Sequence, residues 1–306
     1  MIARAPARSR FRGCLLGLAV GDALGTTLEF RAPGSFAPLT DMVGGGPFEL
    51  LPGQWTDDTS MALCLAHSLL YCRGFDAIDQ MNRYCNWYRH GYMSSTGECF
   101  DIGGTVRQAL EAYLRSGDPF SGSQAESSAG NGSLMRIAPV AMYFAHSPMA
   151  TVAGMAAASS RTTHGAAEAV DACVLFAAQL CMALAGHDKP GILSGHGVQP
   201  RTPKIAALAR RDHTAVDAAE IRGSGYVVDA LAAALWCFAT TDDYASAVLR
   251  AANLGNDADT TAAICGQLAG AYYGLEGIPP AWRQKLHDGS MLLTLADDLM
   301  QAALSV

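Results

Sequence analysis

Glycine recurs at every fourth position in two apolar stretches near opposite ends of the chain: Gly13, Gly17 and Gly21 in the first, Gly266, Gly270 and Gly274 in the second. Residues four apart share one face of a helix. Folded as helices, both stretches therefore carry a smooth stripe on which a neighbouring helix can lie unusually close. Each glycine costs about 1 kcal/mol of helix propensity relative to alanine, and close packing at the centre of a bundle is the natural compensation.

Apolar residues keep helical spacing over 11–23, 60–71, 106–114, 166–184, 227–239, 244–252, 261–273 and 292–304. Alanine is abundant, β-branched runs are few, and no comparable set of strand patterns appears. The spacing predicts an all-α protein packed as one compact helical domain over 1–306. Segments 44–54, 116–131 and 186–203, rich in Gly, Pro or Ser, read as loops, because helix patterns of the same kind continue on both sides.

A chain of 306 residues, 50% hydrophobic and only 16% charged, buries a sizeable core and is neither disordered nor a coiled coil. Asp and Glu number 28 against 21 Lys and Arg, which argues against a nucleic-acid-wrapping surface. The nine cysteines are odd in number, scattered and without a CxxC pair, so they read as reduced thiols in a cytoplasmic protein. No signal peptide is expected, since Asp22 cuts the apolar stretch after the basic N-terminus. No membrane association is expected either: the longest apolar segment, 173–186, is interrupted by Gln179 and falls short of the roughly 20 residues that cross a bilayer.

Two acidic clusters stand out. Thr56-Asp57-Asp58-Thr59 precedes the apolar segment 60–71, and Asn256-Asp257-Ala258-Asp259-Thr260-Thr261 opens the segment ending at Tyr273. Capping would explain either one, since Asp and Thr accept hydrogen bonds from the unpaired N–H groups of a helix start. Capping needs one acceptor, however, and the two clusters supply four carboxylates along with Thr56 and Thr260. If the helices converge, these carboxylates repel one another without a cation. Hard oxygen donors with no His or Cys select Mg²⁺, Mn²⁺ or Ca²⁺, and the number of donors allows two ions.

Several motifs together resemble the ADP-ribosylglycohydrolases, whose bacterial type is the dinitrogenase-reductase-activating glycohydrolase. They are GCLLGLAVGDALG from Gly13 to Gly25, Glu29-Phe30, Trp55-Thr56-Asp57-Asp58-Thr59, Gly130-Asn131-Gly132-Ser133-Leu134-Met135-Arg136, Thr163-His164, and Gly255-Asn256-Asp257-Ala258-Asp259-Thr260-Thr261. The resemblance covers nearly the whole chain. It implies a compact orthogonal all-α bundle with a central cleft holding two Mg²⁺ or Mn²⁺ ions. Thr56, Asp57, Asp58, Asp257, Asp259 and Thr260 would be the metal ligands.

The same resemblance makes Glu29 an outer ligand or acid/base, and Asp101, in a D-x-G loop, a general base or ribose anchor. Gly130, Asn131, Gly132, Ser133, Met135 and Arg136 would meet pyrophosphate or ribose through a loop rich in N–H donors. His164 would line the cleft and Tyr226 would face adenine. Relatives often carry more polar residues where this chain has Ala166-Ala167, which leaves the acceptor side open.

The expected activity is metal-dependent hydrolysis of a glycosidic bond at C1″, with Asp57, Asp101 or Glu29 taking the proton from water. The substrate would be an ADP-ribosylated protein or small molecule, with arginine foremost among the acceptors, and ADP-ribose the product. A two-metal phosphohydrolase and a non-catalytic ADP-ribose binder are the alternatives.

Overall fold

The computed structural model describes residues 5–195 and 197–305; positions 1–4, 196 and 306, parts of the expected 1–306 domain, lie outside them. The helices are α1 (Ala7–Gly25), α2 (Asp57–Cys72), α3 (Ala77–His90), α4 (Gly104–Ser116), α5 (Ala138–Tyr143), α6 (Met149–Arg161) and α7 (Ala167–Leu184). They continue with α8 (Lys189–Leu193), α9 (Pro203–Arg210), α10 (Val227–Ala239), α11 (Tyr244–Ala252), α12 (Ala258–Tyr273), α13 (Pro280–Lys285) and α14 (Gly289–Ala303). Among the described residues there is no sheet, only three isolated β-bridges. The protein is all-α, and one core cluster draws buried side chains from Phe11 to Ala303.

The centre of the bundle is the pair α1 and α12, and the glycine stripes explain it. A Cβ added at Gly13 would lie 2.2 Å from the Gly270 carbonyl oxygen, and one at Gly17 would lie 2.3 Å from that of Gly266. Gly21 and Gly25 meet the Ala262 and Ala258 oxygens at 2.2 and 2.4 Å in the same way. As numbers rise along α1 they fall along α12, so the helices run antiparallel with their backbones in contact. Gly274 ends the second stripe just beyond α12, with φ of 75°. Tyr244 on α11 pins the pair by donating its hydroxyl to the Gly17 carbonyl at 2.8 Å. This packing brings the C-terminus of α1 against the N-terminus of α12, which is where the second acidic cluster lies.

Helix α7 has the length and mean hydropathy, 1.7, of a membrane span, reaching further toward the N-terminus than the apolar run at 173–186 suggests. It is 72% buried within the bundle, against α5, α6, α10 and α12. Its apolarity is that of a core helix. The loop at 186–203 carries the short α8 and ends where α9 begins, while 44–54 and 117–131 have no α-helix.

Candidate active site

Neither N-cap side chain caps its own helix. Thr56 and Asp257 occupy the N-cap positions of α2 and α12, and neither side chain makes a capping bond. Carboxylates from the end of α1 and the turn after it cap both helices instead. Asp22 accepts the backbone N–H groups of Thr56 (2.9 Å) and Thr59 (3.0 Å), along with the hydroxyls of Thr56 (2.8 Å) and Thr59 (2.6 Å). Glu29 accepts the N–H of Ala258 at 2.8 Å. The clusters' own carboxylates are thereby left to face each other, with Asp259 also accepting the N–H of Thr260 at 2.7 Å.

Two overlapping triplets result. Carboxylate oxygens of Asp22, Asp58 and Asp259 lie within 4.8 Å of one another, as do those of Glu29, Asp257 and Asp259, and Asp259 belongs to both sets. Asp22, Asp58 and Asp259 are essentially inaccessible to solvent. Oδ1 of Asp58 is buried without a hydrogen-bond partner. The Thr56 hydroxyl lies 2.8 Å from Asp22, 3.3 Å from Asp58 and 3.5 Å from Asp259. Its single proton serves one of these carboxylates at a time. An orphaned oxygen beside crowded like charges is the arrangement that a cation completes. The donor set, all carboxylate and hydroxyl oxygen, fits a hard divalent ion.

The same crowding governs protonation. Burial, followed by the charge of Asp259, pushes Asp22 and Asp257 up to about 7. Burial and the neighbouring aspartates hold Asp57 and Asp58 well above the usual carboxylate range. Glu29 is pushed up to about 12, by burial and then Asp259, and Asp101 to about 11, by burial and then Asp57. Three helix N-termini ease the concentration of charge. The starts of α2, α4 and α12 all border the cleft, and each presents the positive end of its dipole.

Above the triplets opens a cleft of about 680 Å³. Glu29, Asp57, Asp101, Gly130, Asn131, Gly132, Met135, His164, Asp257, Asp259 and Thr260 line it, while Thr56 and Asp58 lie in the floor beneath, within hydrogen-bonding range of Asp22, Asp259 and Thr260. Asn131 steadies Asp257 by donating from Nδ2 at 2.6 Å. Asp101 sits in the left-handed region, φ 58°, just ahead of α4.

His164 is buried, its Nδ1 2.9 Å from the Thr163 hydroxyl, which in turn accepts from Arg136 Nη2 at 2.7 Å. Burial and the Arg136 charge lower its pKa to about 3, so the ring is neutral. With Arg136 donating to Thr163, the Thr163 proton goes to Nδ1, which leaves Nε2–H as the donor beside Gly130 and Gly132.

Three of the expected ligand residues turn their side chains away from the cleft. Arg136 is wholly buried. Its guanidinium stacks on Tyr84 at 4.5 Å and donates to Gly132 O and Thr163. It reaches no cleft wall, because it is engaged in orienting His164 and the glycine loop. The Ser133 side chain faces inward to Ser160 at 2.8 Å. Tyr226 is tied to the cleft only through its backbone, by the bridge to Gly130. Its hydroxyl turns away to Glu168 and, at 2.7 Å, to Lys204, where it lines a separate cavity of about 360 Å³.

Sequence reasoning missed Asp22 as a site residue. A carboxylate inside an otherwise apolar, small-residue stretch is the available signal, and the sequence argument uses it only against a signal peptide and within the family motif.

The whole-chain pattern settles the relationship. The profile of the ADP-ribosylglycohydrolase family matches residues 3–305. The chain belongs to that family. It is 47% identical to the ADP-ribosylarginine hydrolase Tri1 of Pseudomonas putida, over 97% of this chain and 79% of that protein. It is also 34% identical to the ADP-ribosyl-[dinitrogen reductase] glycohydrolase of Rhodospirillum rubrum, over 90% of each. A solved structure of an ADP-ribosylglycohydrolase-related protein complex superposes with a TM-score of 0.86, at 42% identity, covering 97% of this chain and 99% of the other. This chain is thus an enzyme, an ADP-ribosylglycohydrolase, and the cleft with its acidic floor is the candidate active site of a glycohydrolase.

Proposed function

We propose that this enzyme removes ADP-ribose from ADP-ribosylated arginine on proteins, by hydrolysis of the bond between C1″ and the guanidine nitrogen. The observation that carries the reading is the pair of carboxylate triplets sharing Asp259 beneath a cleft large enough for a nucleotide-sized ligand. Arginine is favoured as the acceptor by the relatives at 47% and 42% identity, from Pseudomonas putida and Serratia proteamaculans, both named ADP-ribosylarginine hydrolase.

In this reading Thr56, Asp57, Asp58, Asp257, Asp259 and Thr260 would hold two Mg²⁺ or Mn²⁺ ions, with Glu29 beside Asp257 and Asp259 in the second triplet. Such ions, when bound, lower the pKa of water and hold vicinal hydroxyls. The protein's own groups do the rest. Asp22 holds the start of α2 in place and Asn131 sets the rotamer of Asp257. His164 offers an N–H to the ligand beside the glycine loop. One cleft-wall carboxylate, from Glu29, Asp57 or Asp101, takes the proton from water, and a protonated carboxyl of the same wall gives its proton to the departing guanidine. Carboxylates around C1″ favour the oxocarbenium-like transition state. Nine unpaired thiols, seven of them buried, support a reducing, cytoplasmic setting.

The test is a panel of ADP-ribosylated peptides with arginine or serine linkages, assayed with and without chelator, with product masses determined. The reading expects intact ADP-ribose from the arginine peptide and loss of that product with chelator. Release of AMP or phosphate would move the enzyme to phosphoryl chemistry, and binding without turnover would leave it a reader of ADP-ribose.

A further inference from the structure

Phe30 is 68% exposed and lines the cleft immediately after Glu29. A bulky residue at φ 60° is strained, and two backbone bonds hold it there: Phe30 N–H to Asn256 O and Asn256 N–H to Arg31 O, both 2.7 Å. The conformation keeps Glu29 on the start of α12 while leaving the Phe30 ring in the cleft wall. Folding gains little from an exposed phenyl ring, so the arrangement calls for a different explanation.

The ring has company. Its centroid lies 6.3 Å from that of Phe48, edge to face, and Phe48 lies 5.2 Å from Phe100. Phe100 immediately precedes Asp101, itself at φ 58°. Glu29 and Asp101, two of the carboxyl groups that line the cleft, each thus have a phenyl neighbour in sequence, and Phe48 links the Phe30 ring to that of Phe100. No Lys or Arg lines the cleft among the described residues. A wall of carboxyl groups and π-faces without a resident cation complements a planar, weakly hydrated cation.

We propose that Phe30, backed by Phe48 and Phe100, is the acceptor platform and a specificity-determining residue, on which the guanidinium of ADP-ribosylated arginine lies as its C1″ bond reaches the floor. The proposal rests on the arginine reading given above. A hydroxyl-linked acceptor such as serine gains nothing from the ring face.

Steady-state kinetics of the wild type, Phe30→Ala and Phe30→Tyr on arginine- and serine-linked ADP-ribosyl peptides test it, alongside inhibition by ADP-ribose. Phe30→Ala is expected to raise KM for the arginine peptide roughly three- to thirtyfold, the range for losing a cation–π contact, with little change in kcat. Phe30→Tyr restores it, and the melting temperature and ADP-ribose inhibition stay at wild-type values. Any activity on the serine peptide is likewise unaffected. An unchanged KM, or the same rise on both peptides, overturns the proposal. Weakened ADP-ribose inhibition overturns it as well, by giving the ring to the adenosine half. A wild type inactive on the arginine peptide refutes the acceptor reading instead. The platform is then judged by methylguanidine added to the ADP-ribose-saturated protein: a ring-current shift of its methyl protons that Phe30→Ala abolishes supports it, and any other result overturns it.

Discussion

The floor of the cleft and its mouth are built on opposite principles. The floor is made where helix ends are locked by backbone contact: α1 against α12 through glycines whose added Cβ atoms would fall within 2.4 Å of a carbonyl oxygen. Its carboxylates are mutually repulsive and, Asp257 apart, buried. The mouth is made of loops, with Phe30 and Asp101 in left-handed conformations and the Phe30 ring open to solvent. Rigid packing holds unfavourable charge in place, while the loops carry the groups that face a variable acceptor. Chemistry is thus assigned to the part that cannot relax, and selectivity to the part that tolerates change.

The largest effect expected from this contrast is at Asp259, which both triplets share. Asp259→Asn should lower kcat/KM on an ADP-ribosylated substrate by about 10³-fold or more, the scale for losing a group that stabilises developing charge. With chelator present, the same variant should melt higher than the wild type, because one of the repelling charges is gone. An ion-free variant that melts lower would mean that the floor is not electrostatically strained.

A methyl-bearing side chain in the glycine seam comes next. A Cβ at Gly21 would lie 2.2 Å from the Ala262 oxygen, and backbone has no rotamer through which to yield. Gly21→Val should cost on the order of 3 kcal/mol or more, read as a lower denaturation midpoint or loss of folded protein. An unperturbed midpoint would show that α1 and α12 can separate without penalty.

The pH dependence of the chelated protein gives a third, smaller effect. Asp22 and Asp257 rise from 3.8 to about 7 on folding, so between these values the native state binds more protons than the unfolded chain. Stability must then fall as pH rises from about 4 to 7. Thermal melts in EDTA should show this slope, and Mg²⁺ or Mn²⁺ should offset it most at the upper end, where proton and ion no longer compete. A slope of the opposite sign would contradict the crowded floor.

Arg136→Lys sharpens the comparison from the inside. Lysine cannot reproduce the forked donation to Gly132 O and Thr163 together with the stack on Tyr84. Catalytic efficiency should drop roughly tenfold through loss of His164 orientation, with the helical content measured by circular dichroism retained. Smallest of all is Leu51→Ser on the exposed loop, which should shift stability by less than about 0.5 kcal/mol, as a denaturation midpoint would show.

Helices with an apolar stripe were legible, with boundaries off by up to four residues. Residues 227–239 and 244–252 coincide with α10 and α11, whereas α2 and α12 begin three residues earlier than their stripes, in the acidic clusters themselves. Unread were α3, whose AIDQMNRYCNWYRH is too polar to announce itself, α6, whose small residues blur the stripe, and α5, α8, α9 and α13, which are too short to show a period. The acidic clusters were visible as clusters. The capping of one helix by a carboxylate from another was not, since Asp22 and Thr56 are 34 residues apart. Nor was the inward turn of Arg136, because polarity in sequence does not say which side of a packed loop a long side chain takes.

By itself the sequence determined the class of fold, the close approach that glycine at every fourth position demands, and the donor chemistry of the two aspartate turns. These follow from local periodicity and from the kinds of atoms present. Only the tertiary structure decided that Asp259 is shared, that Asp22 and Glu29 relieve the clusters of capping, and that Ser133, Arg136 and Tyr226 serve elsewhere. Those outcomes depend on angles and distances between segments remote in the chain, which close packing sets all at once and no single segment encodes.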